Sequence, residues 1–248
     1  MSISIKTENE LELVRIAGKI TGDTLKLLEK EIYVGQTSNR LNEIATQYIR
    51  SQGGEPSCLG YEGFPYAICA SKNDAVVHGF CDDVPLKEGD IITIDLCVNY
   101  KGFNGDAART FIVGTTSDEN KRLIETTKEA FFKGVEGIKA GDKLGHISAR
   151  IQQYVEAHGY SIVREMAGHG IGRDIHEDPI IPNYGKYNGG PVLKTGMVLA
   201  VEPMVNMGKR DVYLDENGWT VRTRDGKNAA HYENTIIIGE NGIEIITI

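Results

Sequence analysis

Two aspartates in an apolar stretch of the sequence have the types and spacing that could support chemistry. Asp95 and Asp106 lie in ITIDLCVNYKGFNGDAARTF, residues 92–111, among β-branched and other apolar side chains. An antiparallel hairpin turning near Tyr100 and Lys101 would place the two aspartates directly opposite each other, with Cβ atoms about 4.5–5.5 Å apart. Buried carboxylates at that distance repel, and a divalent metal ion would neutralise them. The alternative is a different register, with one aspartate in a solvated turn.

Two histidines and two glutamates could complete such a site. His169 and His176 lie in the glycine-rich segment GHGIGRDIHEDP, where glycines let the backbone approach a site closely. Glu202 interrupts the apolar run VLAVEPMV and Glu233 begins the apolar strand of AAHYENTIIIG, although glutamate is rarely buried without a partner. A lone histidine is more often structural than a ligand, and each glutamate taken alone fits an exposed strand edge.

Taken together, four carboxylates and one imidazole at apolar strand positions predict a metal site. The set consists of Asp95, Asp106, His169, Glu202 and Glu233. Oxygen-rich ligation suits Mn²⁺, Fe²⁺ or Co²⁺, with Zn²⁺ as a further candidate. Four carboxylates are more than one such ion needs, so the set favours two metal ions that share bridging carboxylates.

The elements that must position these residues follow from hydrophobic periodicity and helix-capping signals. Thr7 and Glu10 form a capping-box pattern at the start of a helix over residues 7–32, and glycines 53–54 end a second helix over 38–52. Two more helices are predicted over 118–138 and 144–157. Apolar runs predict strands at 66–70, 91–98, 107–113, 197–205, 232–238 and 243–248.

The order of these elements recurs, and so does part of the sequence. Three pairs of segments match in the same order: TQYIRSQGG (46–54) with QQYVEAHGY (152–160), LKEGDIITID (86–95) with LKTGMVLAVE (193–202), and RTFIVG (109–114) with NTIIIG (234–239). We therefore expect one domain, residues 1–248, made of two pseudo-symmetric halves at about 1–114 and 115–248. Asp95 and Glu202 are then equivalent and lie near the shared axis. The alternative is chance similarity between common patterns.

Composition and charge argue against several classes of function. A formal net charge of −8 with scattered Lys and Arg does not fit a general nucleic-acid binder. No apolar run reaches the roughly 18 residues of a membrane span, and the N-terminus carries charges where a signal peptide is apolar, so we expect a cytoplasmic protein. The cysteines form no CxxC pair and are expected to be free thiols rather than a zinc ribbon: Cys58, Cys69, Cys81 and Cys97.

Five ordered motifs resemble those of a known family. The segments VVHGF, IDLCVNYKGFNGDAARTF, GHGIGRDIHEDP, VEPMV and YENT are similar to the successive motifs of the type I methionine aminopeptidases. The resemblance covers almost the whole chain and implies an α/β (α+β) "pita-bread" fold, a duplicated pseudo-two-fold domain with a central antiparallel sheet and two helix pairs on one face. It also implies removal of the initiator methionine from nascent proteins, before a small second residue, by a monomer that works near the ribosome.

The same resemblance assigns roles to the metal-site residues. Asp95 would bind one divalent ion, His169 and Glu202 would bind the other, and Asp106 and Glu233 would bridge both, the ions being Co, Mn, Fe or Zn. A metal-activated bridging water or hydroxide would attack the scissile carbonyl. Glu202 would also transfer a proton to the leaving amine.

Further residues would bind the substrate by the same resemblance. His176 would donate a hydrogen bond to the developing oxyanion, and His78 would contact the scissile amide. Five aromatic and sulfur-containing residues would form the pocket for the methionine side chain, although an ordinary core role is the alternative for each: Cys58, Tyr61, Phe64, Cys69 and Trp219.

The sequence departs from the family pattern at three positions near the site. Glu62 stands where relatives often have histidine, His231 where glutamine is common, and Asn234 where histidine usually follows the last acidic ligand. None is a ligand position, so the expected reaction is unchanged. The rival interpretations are an Xaa-Pro aminopeptidase or prolidase-like enzyme on the same fold, and a binding protein of that fold without catalysis.

Overall fold

The computed structural model describes residues 3–248, and helix α1 (Glu8–Glu31) opens it as the capping signal predicts. The Glu10 carboxylate accepts hydrogen bonds from the backbone N–H and the hydroxyl of Thr7, both at 2.9 Å. These bonds satisfy a donor that the first turn of a helix leaves unpaired. The start of α1 is therefore set locally, by two side chains three residues apart.

The other predicted helices are present, with ends that differ by a few residues. They are α2 (Ser38–Ser51), α3 (Asp118–Val135) and α4 (Gly145–Ala157), and a short 3₁₀ turn covers Tyr61–Gly63. Helix α3 ends before residue 138, where the prediction placed its end. None of the helices that the structure describes is both long enough and apolar enough to cross a membrane.

Strands follow the first pair of helices, and further strands follow the second pair. They are β1 (Glu55–Pro56), β2 (Cys69–Lys72), β3 (Ala75–Val77), β4 (Ile91–Tyr100), β5 (Phe103–Ile112), β6 (Ser161–Ile162), β7 (Gly168–Gly170), β8 (Glu177–Ile181), β9 (Val198–Val201), β10 (Met204–Asn206), β11 (Val212–Leu214), β12 (Val221–Thr223), β13 (Ala229–His231), β14 (Asn234–Ile238) and β15 (Ile243–Ile245). The single strand predicted over 197–205 is divided into β9 and β10 at Glu202 and Pro203.

All strand pairs are antiparallel, and hydrogen bonding divides the described strands into four sheets. Strands β1, β2 and β5 pair with β4, while a five-stranded sheet has the order β15-β14-β9-β7-β8. Two three-stranded sheets complete the set, in the orders β13-β10-β6 and β11-β12-β3. The two larger sheets meet where the β5 backbone N–H of Asp106 donates to Thr235 Oγ1 on β14, at 2.9 Å.

The predicted register of the β4–β5 hairpin is wrong by two residues. Asp95 pairs with Ala108 and Asp106 pairs with Cys97, so the aspartates are diagonal rather than direct partners. The turn is made by Lys101 and the glycine after it, whose φ angles of 49° and 87° are both left-handed. Two left-handed central residues are typical of the type I′ hairpin turn, whose backbone matches the right-handed twist of the flanking strands. A shift of two residues keeps both aspartates on one face of the sheet.

The alternation of side chains along β4 separates the core from the site. Side chains of successive strand residues point to opposite faces. Ile92, Ile94 and Leu96 belong to a buried cluster that includes residues of α1 and α2. Asp95 lies between them in sequence and faces the opposite side. A second core, which includes Phe131, joins α3 and α4 to the sheet that contains β9 and β14.

The matching segments of the sequence lie on elements of the same kind. Residues 46–54 and 152–160 run over the ends of α2 and α4, and Asp95 lies on β4 as Glu202 follows β9. The order helix, helix, strand therefore agrees with the predicted repeat. The division into two halves at residue 114 stays a prediction.

Candidate metal centre and substrate pocket

One pocket is lined by every residue that was predicted to bind metal or substrate. It has a volume of about 230 Å³, below the roughly 300–1,000 Å³ of pockets for drug-sized ligands, which suits a single side chain. Two lining residues, Glu62 and Ile175, were not among the predicted site residues. The other lining residues were: Cys58, Tyr61, Phe64, Cys69, His78, Asp95, Asp106, His169, His176, Glu202, Trp219 and Glu233.

The two aspartates enter the pocket from the β4–β5 hairpin. Diagonal neighbours across an antiparallel pair lie about 7–8 Å apart, close enough for charges to interact in a buried site. Burial raises the pKa of Asp95 well above its usual value, and the charges of Asp106 and Glu202 raise it further. Burial also raises the pKa of Asp106 to about 6, although a hydrogen bond with the Cys97 thiol opposes the change.

His169 reaches the pocket from β7 because its glycine neighbours allow close strand approach. A Cβ atom on Gly168 would lie 2.4 Å from the Ala200 carbonyl oxygen, and one on Gly170 would lie 2.2 Å from the Asp178 carbonyl oxygen. Nδ1 of His169 donates to the Gly170 carbonyl at 2.9 Å, which leaves a lone pair on Nε2. Burial lowers the pKa of His169 to about 4, so the ring is neutral near pH 7.

Glu202 lies between two strands, next to a proline that cannot continue the hydrogen-bonded ladder. Its carbonyl oxygen accepts a hydrogen bond from Asn183 Nδ2 at 2.9 Å. Its Oε1 atom lies 3.6 Å from His169 Nε2. Burial raises the pKa of Glu202 well above its usual value, and the charge of Asp106 raises it further.

Glu233 is held between β13 and β14 by its backbone. Its N–H donates to the Ala108 carbonyl at 3.0 Å, and its carbonyl accepts from the Arg109 guanidinium. Burial raises the pKa of Glu233 well above its usual value, the charges of Asp106 and the other carboxylates add to this, and Arg109 opposes it. Arg109 thus donates to the backbone oxygen of Glu233, and the repulsion among the clustered carboxylates favours a bound cation.

The acidic cluster has the donor set that a divalent cation requires. Ligand atoms of Asp106, His169 and Glu233 all lie within 4.8 Å of one another, and each of the three side chains is buried. One oxygen of Asp106 and one of Glu233 are buried without a hydrogen-bond partner. Buried carboxylate oxygens without partners are costly unless they are paired or bind metal. The residues present therefore fit a divalent metal ion.

The two remaining histidines lie beside this cluster. The Tyr61 hydroxyl is 2.8 Å from His176 Nδ1, and the His176 ring packs edge-on against His169 with centroids 4.4 Å apart. Burial lowers the pKa of His176, and that of His78 to about 4. His78 has a φ angle of 56°, a left-handed conformation that is uncommon outside glycine and often marks functional sites.

Aromatic rings form the apolar wall of the pocket. Phe64 packs edge-to-face against Trp219 and Phe80, with centroids 5.1 Å and 5.6 Å apart. Cys69 lies on β2 directly opposite Asp95, which places the apolar wall next to the acidic cluster. Phe80 supports this wall although sequence reasoning did not select it, and its position two residues after His78 was an available signal.

Sequence reasoning also missed residues that hold the acidic side chains in place. Arg109 fastens the backbone of Glu233, and Asn183 fastens that of Glu202. A charged residue inside the apolar segment RTFIVG was a usable signal for Arg109. Asn234, one of the departures from the family pattern, accepts hydrogen bonds from Arg109 at 2.6 Å and from Thr247 at 2.8 Å. Asn234 therefore supports the network behind Glu233.

Comparisons with known proteins identify the family. The family model of metallopeptidase family M24 matches residues 12–240. A protein of Clostridium perfringens named methionine aminopeptidase is 52% identical over 246 residues, which is 99% of each chain. The chain belongs to metallopeptidase family M24 and, within it, to the methionine aminopeptidases. The resemblance drawn from the five motifs is thus confirmed.

Solved structures of family members have the same fold. The crystal structure of methionine aminopeptidase from Rickettsia prowazekii superposes with a TM-score of 0.98, at 44% identity, and each chain covers 100% of the other. Prolidase from Pyrococcus furiosus superposes with a TM-score of 0.81, at 26% identity over 98% of this chain and 65% of the prolidase. The predicted antiparallel α/β fold, shared by the aminopeptidases and prolidases of this family, is confirmed.

Proposed function

We infer that this chain removes the N-terminal methionine from proteins and peptides in a metal-dependent hydrolysis. Full-length relatives that carry the name methionine aminopeptidase support this function. The observation that carries it is the contact between an aromatic pocket and an acidic cluster, because Cys69 in the pocket wall lies opposite Asp95. A side chain bound in the pocket would present its adjoining amide to the cluster.

Five residues would hold two divalent ions, which are Co, Mn, Fe or Zn. Asp95 would bind one ion and His169 with Glu202 the other, while Asp106 and Glu233 would be shared. The partnerless oxygens of Asp106 and Glu233 support the shared role, since each needs a positive partner. A bound divalent ion would polarise the scissile carbonyl and lower the pKa of water.

The side chains around the cluster would move protons and bind the substrate. Glu202 lines the pocket beside the proposed ligand His169, and its carboxylate would pass a proton to the leaving amine. A Tyr61 hydroxyl that donates to His176 Nδ1 leaves the proton on Nε2, where it can donate to the developing oxyanion. His78, also on the pocket wall, would contact the scissile amide.

The apolar pocket would select methionine through its size and its sulfur and aromatic lining. Burial of a methionine side chain contributes about 1.5–3 kcal/mol, and its sulfur interacts favourably with aromatic rings. Phe64, Trp219, Tyr61 and the thiols of Cys58 and Cys69 line this space. We propose nascent polypeptides in the cytoplasm as the natural substrates, acted on by the monomer near the ribosome, as the family resemblance implies.

Peptide cleavage by metal-loaded protein tests the function. Chelator-stripped protein is assayed with Met-Ala-Ser and with Ala-Pro-Ser, with and without Mn²⁺ or Co²⁺, and the released amino acid is measured. We expect metal-dependent release of methionine and no cleavage before proline. Cleavage of the proline peptide alone would favour the prolidase-like activity, and cleavage of neither by metal-loaded protein would favour a binding protein.

A further inference from the structure

His231 is a buried imidazole that points at two carboxylates of the proposed metal centre. Its side chain is 1% exposed, and neither ring nitrogen has a hydrogen-bond partner. Nε2 lies 3.4 Å from Glu202 Oε2 and 3.9 Å from Glu233 Oε2. A buried polar group without a partner is unfavourable, so this position calls for an explanation.

The backbone of His231 is fastened on two sides, so the point from which its buried ring projects is fixed. His231 pairs with Met204 across β13 and β10, two residues beyond Glu202 in sequence. Its N–H donates to Thr110 Oγ1 at 3.0 Å, and the Thr110 hydroxyl donates to its carbonyl at 3.0 Å. The imidazole and the Glu202 carboxylate are thus carried by adjacent, fixed segments of the chain.

The electrostatics decide which atom of the ring carries the hydrogen. Metal binding requires Glu202 and Glu233 to be ionised, and a nitrogen lone pair on Nε2 turned towards their two carboxylate oxygens would then be repelled. A hydrogen on Nε2 instead gives a donor beside Glu202 Oε2. The distance of 3.4 Å is longer than the roughly 2.7–3.2 Å of an N–H···O bond, so this hydrogen bond requires the carboxylate to move closer to Nε2.

Glu202 therefore lies between two imidazoles. Its Oε1 faces His169 Nε2 at 3.6 Å, and its Oε2 faces His231 Nε2. His169 Nε2 has a lone pair because Nδ1 donates to a backbone carbonyl. One carboxylate oxygen of Glu202 thus faces the proposed metal ligand His169, and the other faces the donor on His231.

We propose that His231 is a positioning residue that donates through Nε2 to Glu202 Oε2 and so turns Oε1 towards the metal. This inference rests on the proposed metal centre. Partners of this kind orient ligating carboxylates, and their loss typically weakens metal binding about 10- to 100-fold. Glutamine also carries a nitrogen donor, whereas leucine carries none.

Three variants of chelator-stripped protein test the role by Co²⁺ titration calorimetry and by the visible spectrum of bound Co²⁺. We expect His231→Leu to bind Co²⁺ about 10- to 100-fold more weakly, with a shifted spectrum. His231→Gln should stay close to the unaltered protein in both measurements. His146→Leu is the matched control, because His146 stacks on Tyr187 and does not line the pocket.

Each other outcome would overturn the inference in a recognisable way. Unchanged Co²⁺ affinity and spectrum in His231→Leu would show that Glu202 needs no donor there. A Gln variant as weak as the Leu variant would mean that the imidazole itself binds metal. Thermal unfolding of the metal-free variants shows whether His231→Leu destabilises the fold. If it does, His231→Gln still tests the inference, because its Co²⁺ affinity should match that of the unaltered protein. If the unaltered protein binds no Co²⁺, the proposed function fails first, and this inference with it.

Discussion

Replacement of His176 by alanine should lower kcat strongly, through the loss of a donor to the oxyanion. Loss of one such donor typically costs about 2.7–4 kcal/mol, or roughly 10²–10³ in kcat. Tyr61 offers an internal comparison, because its hydroxyl contacts His176 Nδ1 at 2.8 Å. A neutral hydrogen bond contributes about 0.5–1.5 kcal/mol, so Tyr61→Phe should lower kcat only about 2- to 10-fold.

The double variant, with Tyr61→Phe and His176→Ala together, shows whether Tyr61 acts through His176 or independently of it. If Tyr61 acts through His176, its hydroxyl has no further role once the imidazole is absent. The double variant should then have the kcat of His176→Ala alone, whereas independent effects would multiply. The assay is steady-state release of methionine from Met-Ala-Ser by metal-saturated protein. Multiplying effects, or a change confined to KM in His176→Ala, would refute the proposed donor role.

Three further predictions concern the carboxylates and the packing of the hairpin. Glu202→Gln should keep the fold and abolish turnover, and near-normal activity in a variant shown by elemental analysis to hold metal would contradict the proton-transfer role. Metal binding near pH 6 should release protons, because burial raises the pKa of Asp106 to about 6 and the metal-free protein retains part of that proton there. Apparent affinity should therefore rise with pH through about 6, and calorimetry in buffers of different ionisation enthalpy measures the release; an enthalpy independent of buffer would contradict it. Gly105→Ala should destabilise the protein by about 1–3 kcal/mol in denaturant unfolding, because its Cβ would lie 2.6 Å from the Gly18 nitrogen. Gly242→Ala, with nothing within 4 Å, is the control, and equal stability losses in the two variants would exclude the close approach as the cause.

The metal centre illustrates how one environment shifts acids and bases in opposite directions. Burial raises the pKa values of the carboxylates and lowers those of the histidines, because each shift favours the neutral form. His169, with a pKa of about 4, is therefore neutral near pH 7, and the shifts of the carboxyls favour their protonated forms. A cation that enters such a site replaces protons and also meets a histidine lone pair that is already available.

Local signals in the sequence determined the helices and the types of residue in the site. The start of α1 depends on Thr7 and Glu10, which are three residues apart, so no distant contact was needed to predict it. Charged residues in apolar, β-branched runs identified Asp95 and Asp106, because burial of a carboxylate requires compensation. The motif resemblance then supplied the family, which full-length relatives confirm.

The register of the hairpin was decided by its turn, which the apolar pattern does not specify. A two-residue shift leaves every side chain on its original face, so alternation alone does not separate the two registers. The left-handed Lys101 and Gly102 set the pairing, and a lysine in that conformation is not an obvious signal. The aspartates therefore share a face as predicted, although they are not direct partners.

The surroundings of the ligands were decided by tertiary structure alone. Arg109 contacts the carbonyl of Glu233, Asn183 contacts that of Glu202, and His231 approaches two carboxylates from behind the pocket. Apart from the approach of His231 to Glu233, these contacts join segments that are distant in sequence, and their geometry depends on how separate sheets pack together. Residue types and local spacing therefore determined what chemistry the chain could support, while the packing of its sheets decided which neighbours orient each charged group.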